Sequence, residues 1–462
     1  MCMSTPIASE NKMGVKPIPS LVLSMSFPIM LSMLVQALYN VVDSLYVSHY
    51  SQDALTALTL AFPLQNLLIA VSVGTSIGIN SLISRKLGAQ DKKAASKAAG
   101  NGITISLLSW LLFAAIGLLF TRRFIGFFTA DAELLRMGHI YSAIALFFSL
   151  GVFIDITCER ILQATGDTVR PMIIQMTGAI VNIILDPILI FGWFGLPRMG
   201  VVGAAIATVF AQHVSAVMAL YYVRKNKEII IEKSDLALEW KTVKDIYAVG
   251  LPSIIMQSIA TVLNTSLNKI LIGFGTAAVA VFGIYFRLQS FIFMPIFGLN
   301  SGLIPIIGYN YGARRPKRIT EALRVGIILS LTIMTIGFLL FTFIPHILLG
   351  WFNATEAMVA IGIVAMKRIS LCFISAGISI VLGSAFQATG DGHFTMITSI
   401  TRQLVFLLPA AYLLGKYFGL DALWLSFIIA ETASLILTIF FFIKLYRKKI
   451  KPLSAPVSTV QS

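Results

Sequence analysis

Apolar runs longer than about 18 residues recur along the whole chain, and each is long enough to cross a bilayer as a helix. Of the 462 residues, 57% are hydrophobic and only 12% are charged, against about 25% charged in ordinary soluble domains. The chain therefore reads as an all-α membrane protein rather than a soluble one. Its runs fall at about 21–47, 55–84, 98–120, 134–162, 171–191 and 201–223, then at 248–272, 278–309, 321–345, 357–386, 394–415 and 421–443. The first is too long for a signal-peptide core and lacks an obvious small-residue cleavage site, so it is kept as a span. The expected organisation is a tail over 1–19, a six-span lobe over 20–224, a charged linker over 225–245, a second six-span lobe over 246–446 and a basic tail over 447–462.

A net charge of +15 would suggest nucleic acid as the partner of a soluble protein. Here the basic residues sit in loops. Arg85, Lys86, Lys92, Lys93, Lys97, Arg170, the linker, Arg314, Arg315, Lys317, Arg318 and the cluster Lys444–Lys451 share one side. The other side holds His49 and Asp53, a loop of mixed charge from Arg122 to Arg136, Arg198, Lys416 and Asp421. Short basic loops stay inside, so both termini are expected to be cytoplasmic, with the chain in the cell (inner) membrane. The lipid bilayer, and not nucleic acid, is then the partner of the surface. Cys2, Cys158 and Cys372 form no disulfide or zinc spacing. His49, His139, His213, His346 and His393 are isolated, and no G-x-x-x-x-G-K-[ST] loop occurs. No cofactor or metal is expected, and ATP-driven pumping within this chain is unsupported. An intramembrane enzyme would need a nucleophile with its base, or a metal set, and the sequence offers neither.

The chain is duplicated. Gln163-Ala-Thr-Gly-Asp167 returns as Gln387-Ala-Thr-Gly-Asp391, a shift of 224 (387 − 163). The same shift aligns Pro28 with Pro252, Asn40 with Asn264, Leu64-Gln65 with Leu288-Gln289, Gly74 with Gly298, Gly78 with Gly302 and Gly88-Ala89 with Gly312-Ala313. An even number of spans per half makes the halves parallel, related by an axis along the membrane normal. Such two-lobe repeats are a transporter architecture that rocks about a site at or beside the lobe interface. Within the doubled motif, Gly166 and Gly390 are expected to end one helix, and Asp167 and Asp391 to cap the next.

The most costly residues to place lie in Asn182-Ile-Ile-Leu-Asp186-Pro187 of the fifth span. A carboxylate there costs about 2.5–3.5 kcal/mol even on the lenient insertion scale, so it needs a reason to stay. Asn182 and Asp186 are four apart and share a helix face. Pro187 has no amide hydrogen and frees the carbonyl of Ile183. Asp43, with Tyr39 one turn earlier, lies in the first span. Asp43 and Asp186 sit at similar depth, Asp186 about 24 Å beyond Arg170 by helical rise, and Thr208 of the sixth span reaches that level from the other direction. Two carboxylates at one depth can share a proton or bind Na⁺ among oxygen ligands. The structural alternative is an Asp43 wetted near a helix end and an Asp186 that caps a kink.

Charge differs between the lobes. The first carries Asp43, Asp155, Glu159 and Asp186; the second carries Arg287, Lys367, Arg368 and Arg402, with Glu431 as its one acid near mid-span. Asp43 aligns with Leu267 and Asp186 with Ala410, so ion chemistry is confined to one lobe. Arg287 and Glu431 both start from the outer face, about 12–17 Å deep by rise, which makes an ion pair feasible. The abundant Phe (32) and Met (17) would suit an adaptable pocket, yet any single one serves packing or lipid contact, so none is assigned to substrate.

Together the twelve spans in two lobes, the first-span Asp, the Asn-x-x-x-Asp-Pro fifth span and the doubled Ala-Thr-Gly-Asp loops resemble the multidrug and toxic compound extrusion (MATE) family over about 20–445. The resemblance implies export of drugs in exchange for inward H⁺ or Na⁺. It also implies, for the prokaryotic DinF-like side, a coupling-ion cluster carried over onto Tyr39, Asp43, Asn182, Asp186 and Thr208. Other branches use a seventh-span Glu; here that region reads Gln257-Ser-Ile-Ala-Thr-Val, without a carboxylate. Arg287 in Tyr285-Phe-Arg-Leu and the Gln-Ala-Thr-Gly loops lean toward the MepA-like subgroup. The expected function is a monomeric antiporter for amphipathic, cationic organic compounds, with Arg287, Gln257 and Glu431 as candidate substrate contacts. The rival is a lipid-linked precursor flippase of the same superfamily, although those relatives usually carry two further spans.

Overall fold

The computed structural model describes residues 11–352 and 354–454. The first ten residues of the expected N-terminal tail, Cys2 among them, and the last eight of the basic tail lie outside that range, as does the Asn40 side chain. With each bent pair taken as one span, the described residues hold twelve candidate spans: α1 Ile18–Tyr50, α2 Gln52–Gly88, α3 Lys92–Leu119, α4 Ala132–Phe147 with Leu150–Ala164, α5 Val169–Phe191, α6 Val201–Arg224, α7 Trp240–Leu271, α8 Thr276–Gly312, α9 Pro316–Phe343, α10 Glu356–Ser370 with Phe373–Ala388, α11 Gly392–Phe418 and α12 Ser426–Leu445. Ten spans are long and apolar enough singly, and α4 and α10 qualify as bent pairs. The chain is a multi-pass membrane protein, and both described ends lie on one side, called here the terminal side.

The sequence treats α4 and α10 as single runs; the structure breaks each by 46°. No proline stands at either break. Ser149 Oγ donates to Leu146 O at 2.7 Å, and Ser370 Oγ donates to Lys367 O at 3.2 Å. A serine hydroxyl that takes a carbonyl of the preceding turn weakens the helical ladder there and bends it. α7 also starts earlier than the expected 248, at Trp240; its first turns carry Lys241, Lys244 and Asp245 and are polar enough to stand outside the hydrocarbon.

Both copies of the doubled motif end a helix in the same way. Gly166 and Gly390 take φ of 94° and 88°, the left-handed conformation that glycine adopts without penalty. The Asp167 amide donates to Leu162 O at 3.1 Å and the Gly166 amide to Gln163 O at 3.0 Å; Asp391 to Phe386 O (2.8 Å) and Gly390 to Gln387 O (3.3 Å) repeat the pattern. These paired bonds are a Schellman termination. The cap assignments need correction. Thr168, not Asp167, is the N-cap of α5, while the Asp167 carboxylate takes the Arg170 amide at 3.2 Å. Asp391 is at the N-cap of α11 but makes no cap bond; its carboxylate is held by Lys449 at 2.7 Å and by Thr389 at 3.0 Å.

The duplicated glycines lie where the lobes touch. A Cβ on Gly74 would fall 2.5 Å from Ile254, and one on Gly78 2.1 Å from Ile246 O, so α2 packs directly on α7. The counterparts Gly298 and Gly302 press on Met30 and Ser26, so α8 packs on α1. Gly88 meets Tyr309 O and Gly312 meets Arg85 O, which closes the ends of α2 and α8 on the terminal side.

Two straps reinforce that closure, each crossing from the segment before one lobe to the other lobe. Before α1, the Met13, Gly14 and Lys16 carbonyls accept from Asn310 (3.1 Å), Arg315 (2.6 Å) and Arg318 (2.7 Å), while Asn11 donates back to Thr165 O at 2.9 Å. Before α7, the Asp235 and Ala237 carbonyls accept from Asn101 Nδ2 at 3.0 and 3.1 Å, and Asn101 Oδ1 accepts the Glu239 amide at 2.8 Å.

Candidate functional site

The acidic residues of the first lobe meet inside its bundle. Asp186, on α5, is fully buried, and Asn182 one turn before it is 2% exposed. α5 packs against both α1 and α6, and this brings Asp43 and Thr208 to the same spot. The Asp43 and Asp186 carboxyl groups lie within hydrogen-bond reach of one another. With its amide turned to suit its neighbours, Asn182 donates to Asp186 Oδ2 at 2.9 Å and accepts from the Thr208 amide at 3.2 Å. The Tyr39 hydroxyl lies beside Thr208 and close enough to both carboxylates to feel their charge. α5 continues through Pro187, so the carbonyl of Ile183 receives no amide from that position.

All five residues singled out in the sequence, Tyr39, Asp43, Asn182, Asp186 and Thr208, are thus brought together. The structure adds two more. Tyr141, on the outer half of α4, lies near both aspartates and accepts from Gln65 Nε2 of α2 at 2.9 Å. One oxygen of Asp43 is enclosed without a donor. Two carboxylates in contact within a low-dielectric bundle repel unless a proton or a cation lies between them. The surrounding set of an amide, hydroxyls and a loose carbonyl is rich in oxygen and free of sulfur and imidazole, which suits H⁺ or a hard monovalent cation. Among the described residues no group of three His, Cys, Asp or Glu could hold a metal ion.

Toward the side opposite the termini, a groove lies above this cluster, walled by Tyr46, His49, Phe191, Trp193 and Arg198. Tyr46 meets Phe191 edge-on with ring centres 6.5 Å apart.

The second lobe is built differently. Glu431 does not pair with Arg287, as helical rise allowed; it pairs with Arg402. Arg402 lies in a π-helical stretch, Thr401–Leu407, within α11, where a wider turn rotates the side chains relative to an α-helical count. Arg287 is exposed, and Arg368 reaches the Asp421 carbonyl near the far end of the lobe. Gln257 is half-buried on α7, its Nε2 enclosed without a partner. Among the described residues, no hydrogen bond or ion pair joins Arg287, Gln257 or Glu431 to the aspartate cluster.

The MatE family model matches residues 28–188 and 252–413, two blocks whose starts have the spacing of the sequence repeat. The probable multidrug resistance protein NorM of Thermotoga maritima is 28% identical over 409 residues, 88% of each chain. The multidrug export protein MepA of Staphylococcus haemolyticus is 27% identical over 417 residues, 90% of this chain and 91% of its own. Among solved structures, the outward-facing conformation of a multidrug resistance MATE family transporter of the MOP superfamily superposes with a TM-score of 0.90 at 25% identity, covering 97% of this chain and 99% of the other. A MATE protein in complex with MaL6 gives 0.89 at 26%, covering 96% and 99%.

Proposed function

Because the chain belongs to the MatE family, we propose that it is a secondary active multidrug efflux antiporter, which exports amphipathic organic cations in exchange for H⁺ or Na⁺. The observation that carries this reading is the contact between Asp43 and Asp186 in a lobe whose repeat has Leu267 and Ala410 at the same positions. A paired acid that the fold does not require serves a purpose other than packing. A cation on the pair holds α1 and α5 together; its loss leaves two like charges in contact, which favours a different packing of the lobe. A ligand can move such an equilibrium only through its differential affinity for the two arrangements.

In this reading the terminal side is cytoplasmic, the membrane is the cell membrane, and the transporter works as a monomer without a cofactor. The lobes are sealed on that side by the glycine contacts and the two straps, so the outer side is the one from which substrate leaves. Rocking of the lobes about the α2–α7 and α8–α1 contacts would then alternate access. No chemistry at a substrate bond is called for, in keeping with a transporter and not an enzyme.

The test is uptake of ethidium into proteoliposomes with ΔpH and ΔNa⁺ imposed separately. One of the two gradients should drive uptake in the wild type, and Asp43→Asn or Asp186→Asn should abolish it. Undiminished gradient-driven uptake in both variants would remove the proposal.

A further inference from the structure

The antiport reading leaves unused a second set of buried acids, lower in the same lobe. Gly151, Asp155 and Glu159 follow one another at single-turn intervals along the terminal half of α4, and so form one stripe. The stripe begins against α6: a Cβ on Gly151 would stand 2.9 Å from the backbone nitrogen and from Nδ1 of His213. His213 lies five residues beyond Thr208 on α6, about 7.5 Å closer to the terminal side. Its Nδ1 is 2.8 Å from Val209 O, which assigns the ring proton to Nδ1 and leaves Nε2 as the basic nitrogen. Glu159 is 8% exposed. One oxygen of Asp155 and one of Glu159 are fully enclosed and have no hydrogen-bond partner.

Other groups along this stretch leave those oxygens unclaimed. On α4 itself, Cys158 is a buried free cysteine, and the Arg160 guanidinium, whose charge acts on the neighbouring Glu159, donates to Gln163 Oε1 at 2.9 Å. From α6 the titratable neighbour is His213. From α2 comes the neutral Asn80, bonded to the Arg160 carbonyl at 3.2 Å, and from α3 the neutral Ser106, bonded to Thr157 at 2.6 Å. The repeat shows that the fold does not need these acids. At the matching positions of α10, which has the same 46° bend, Ser379 and Gly383 replace Asp155 and Glu159. Below Glu159 the helix ends at the Schellman turn, and that turn floors a polar cleft open on the terminal side, lined by Asn11, Lys12, Thr165, Gly166, Arg170 and Asn226.

We propose that His213, Asp155 and Glu159 form a proton relay that connects the Asp43–Asp186 cluster to the terminal face through the α4–α6 seam. The proposal rests on the antiport reading and narrows it, since imidazole and spaced carboxylates hand on H⁺ and would not cage Na⁺. Successive groups along the seam differ in depth by about 6–7.5 Å by helical rise, so the proposed relay passes through bridging waters between them. At each transfer a proton leaves one group as it arrives at the next, so the charge on the relay is restored after every turnover.

The test uses the full-length protein in proteoliposomes with ethidium as substrate, and compares Asp155→Asn, Glu159→Gln and His213→Gln with the wild type. Two rates are read: uptake driven by ΔpH, which needs net proton passage, and equilibrium exchange of labelled for unlabelled ethidium, which does not. Uptake in Asp155→Asn and Glu159→Gln should fall at least about tenfold, a modest loss for removal of a proton-transfer group, with exchange preserved. His213→Gln should slow uptake in the same sense. Wild-type uptake rates in both acid variants would overturn the relay, and so would a parallel fall of uptake and exchange, which marks a structural role. A wild type that ignores ΔpH and responds to ΔNa⁺ would overturn the relay alone; one that responds to neither gradient would overturn the antiport reading itself.

Discussion

Asn182 is the residue on which the geometry of the acid pair depends. It is 2% exposed, donates to Asp186 and accepts from Thr208, so it holds the Asp186 carboxylate in place. A hydrogen bond to a charged group contributes about 1.5–3 kcal/mol. Asn182→Leu should therefore slow gradient-driven uptake roughly 10- to 100-fold, measured as initial rates, without the complete loss expected for Asp43→Asn. Most of this cluster was legible in the sequence because polar side chains in an apolar span are few and costly. Tyr141 and Gln65 were not, since a tyrosine in a span is common and its direction here depends on a bend in α4 that no proline announces. Glu431 was given the wrong partner for a related reason. Rise along a helix fixes depth but not azimuth, and the π-helical stretch in α11 changes the azimuth of Arg402.

Among the helices, close backbone approaches between the lobes are made by α2 with α7, α8 with α1 and α2 with α8, at glycines the repeat had already marked. Their alignment at one shift told which positions matter, and the structure shows why: each is a place where a helix backbone meets the other lobe. Gly78→Val would drive a side chain into the Ile246 carbonyl, which a Cβ would approach to 2.1 Å. Because the obstacle is backbone, the lobes must separate on the terminal side. Spin labels at Lys93→Cys and Lys317→Cys, both exposed on that side, should report a longer distance in Gly78→Val than in the parent. An unchanged distance would show that α7 yields locally. The straps belong to the same closure. Asn101→Ala removes bonds to Asp235, Ala237 and Glu239, and at about 1 kcal/mol each it should shift the labelled pair toward the open population in the same direction.

For the whole molecule, the two lobes share a backbone and divide their chemistry. One holds paired carboxylates and the other an ion pair, Arg402–Glu431, in which Glu431 is 8% exposed. Breaking a buried pair costs about 3–5 kcal/mol; with Arg402 partly exposed, about 2 kcal/mol is the expected loss. Glu431→Gln should therefore lower the unfolding midpoint of the purified protein while the gradient still drives transport. Asp186→Asn should do the reverse, since it removes repulsion from the fold and cation exchange from the cycle. The most direct measurement is cation release by purified transporter in weakly buffered detergent solution, followed with a pH dye or a sodium electrode as ethidium is added. The wild type should release about one cation per bound ethidium, as expected if two adjacent carboxylates hold a single charge between them. Asp43→Asn should release none, and equal release from Asp43→Asn and the wild type would contradict a pair that shares the coupling ion.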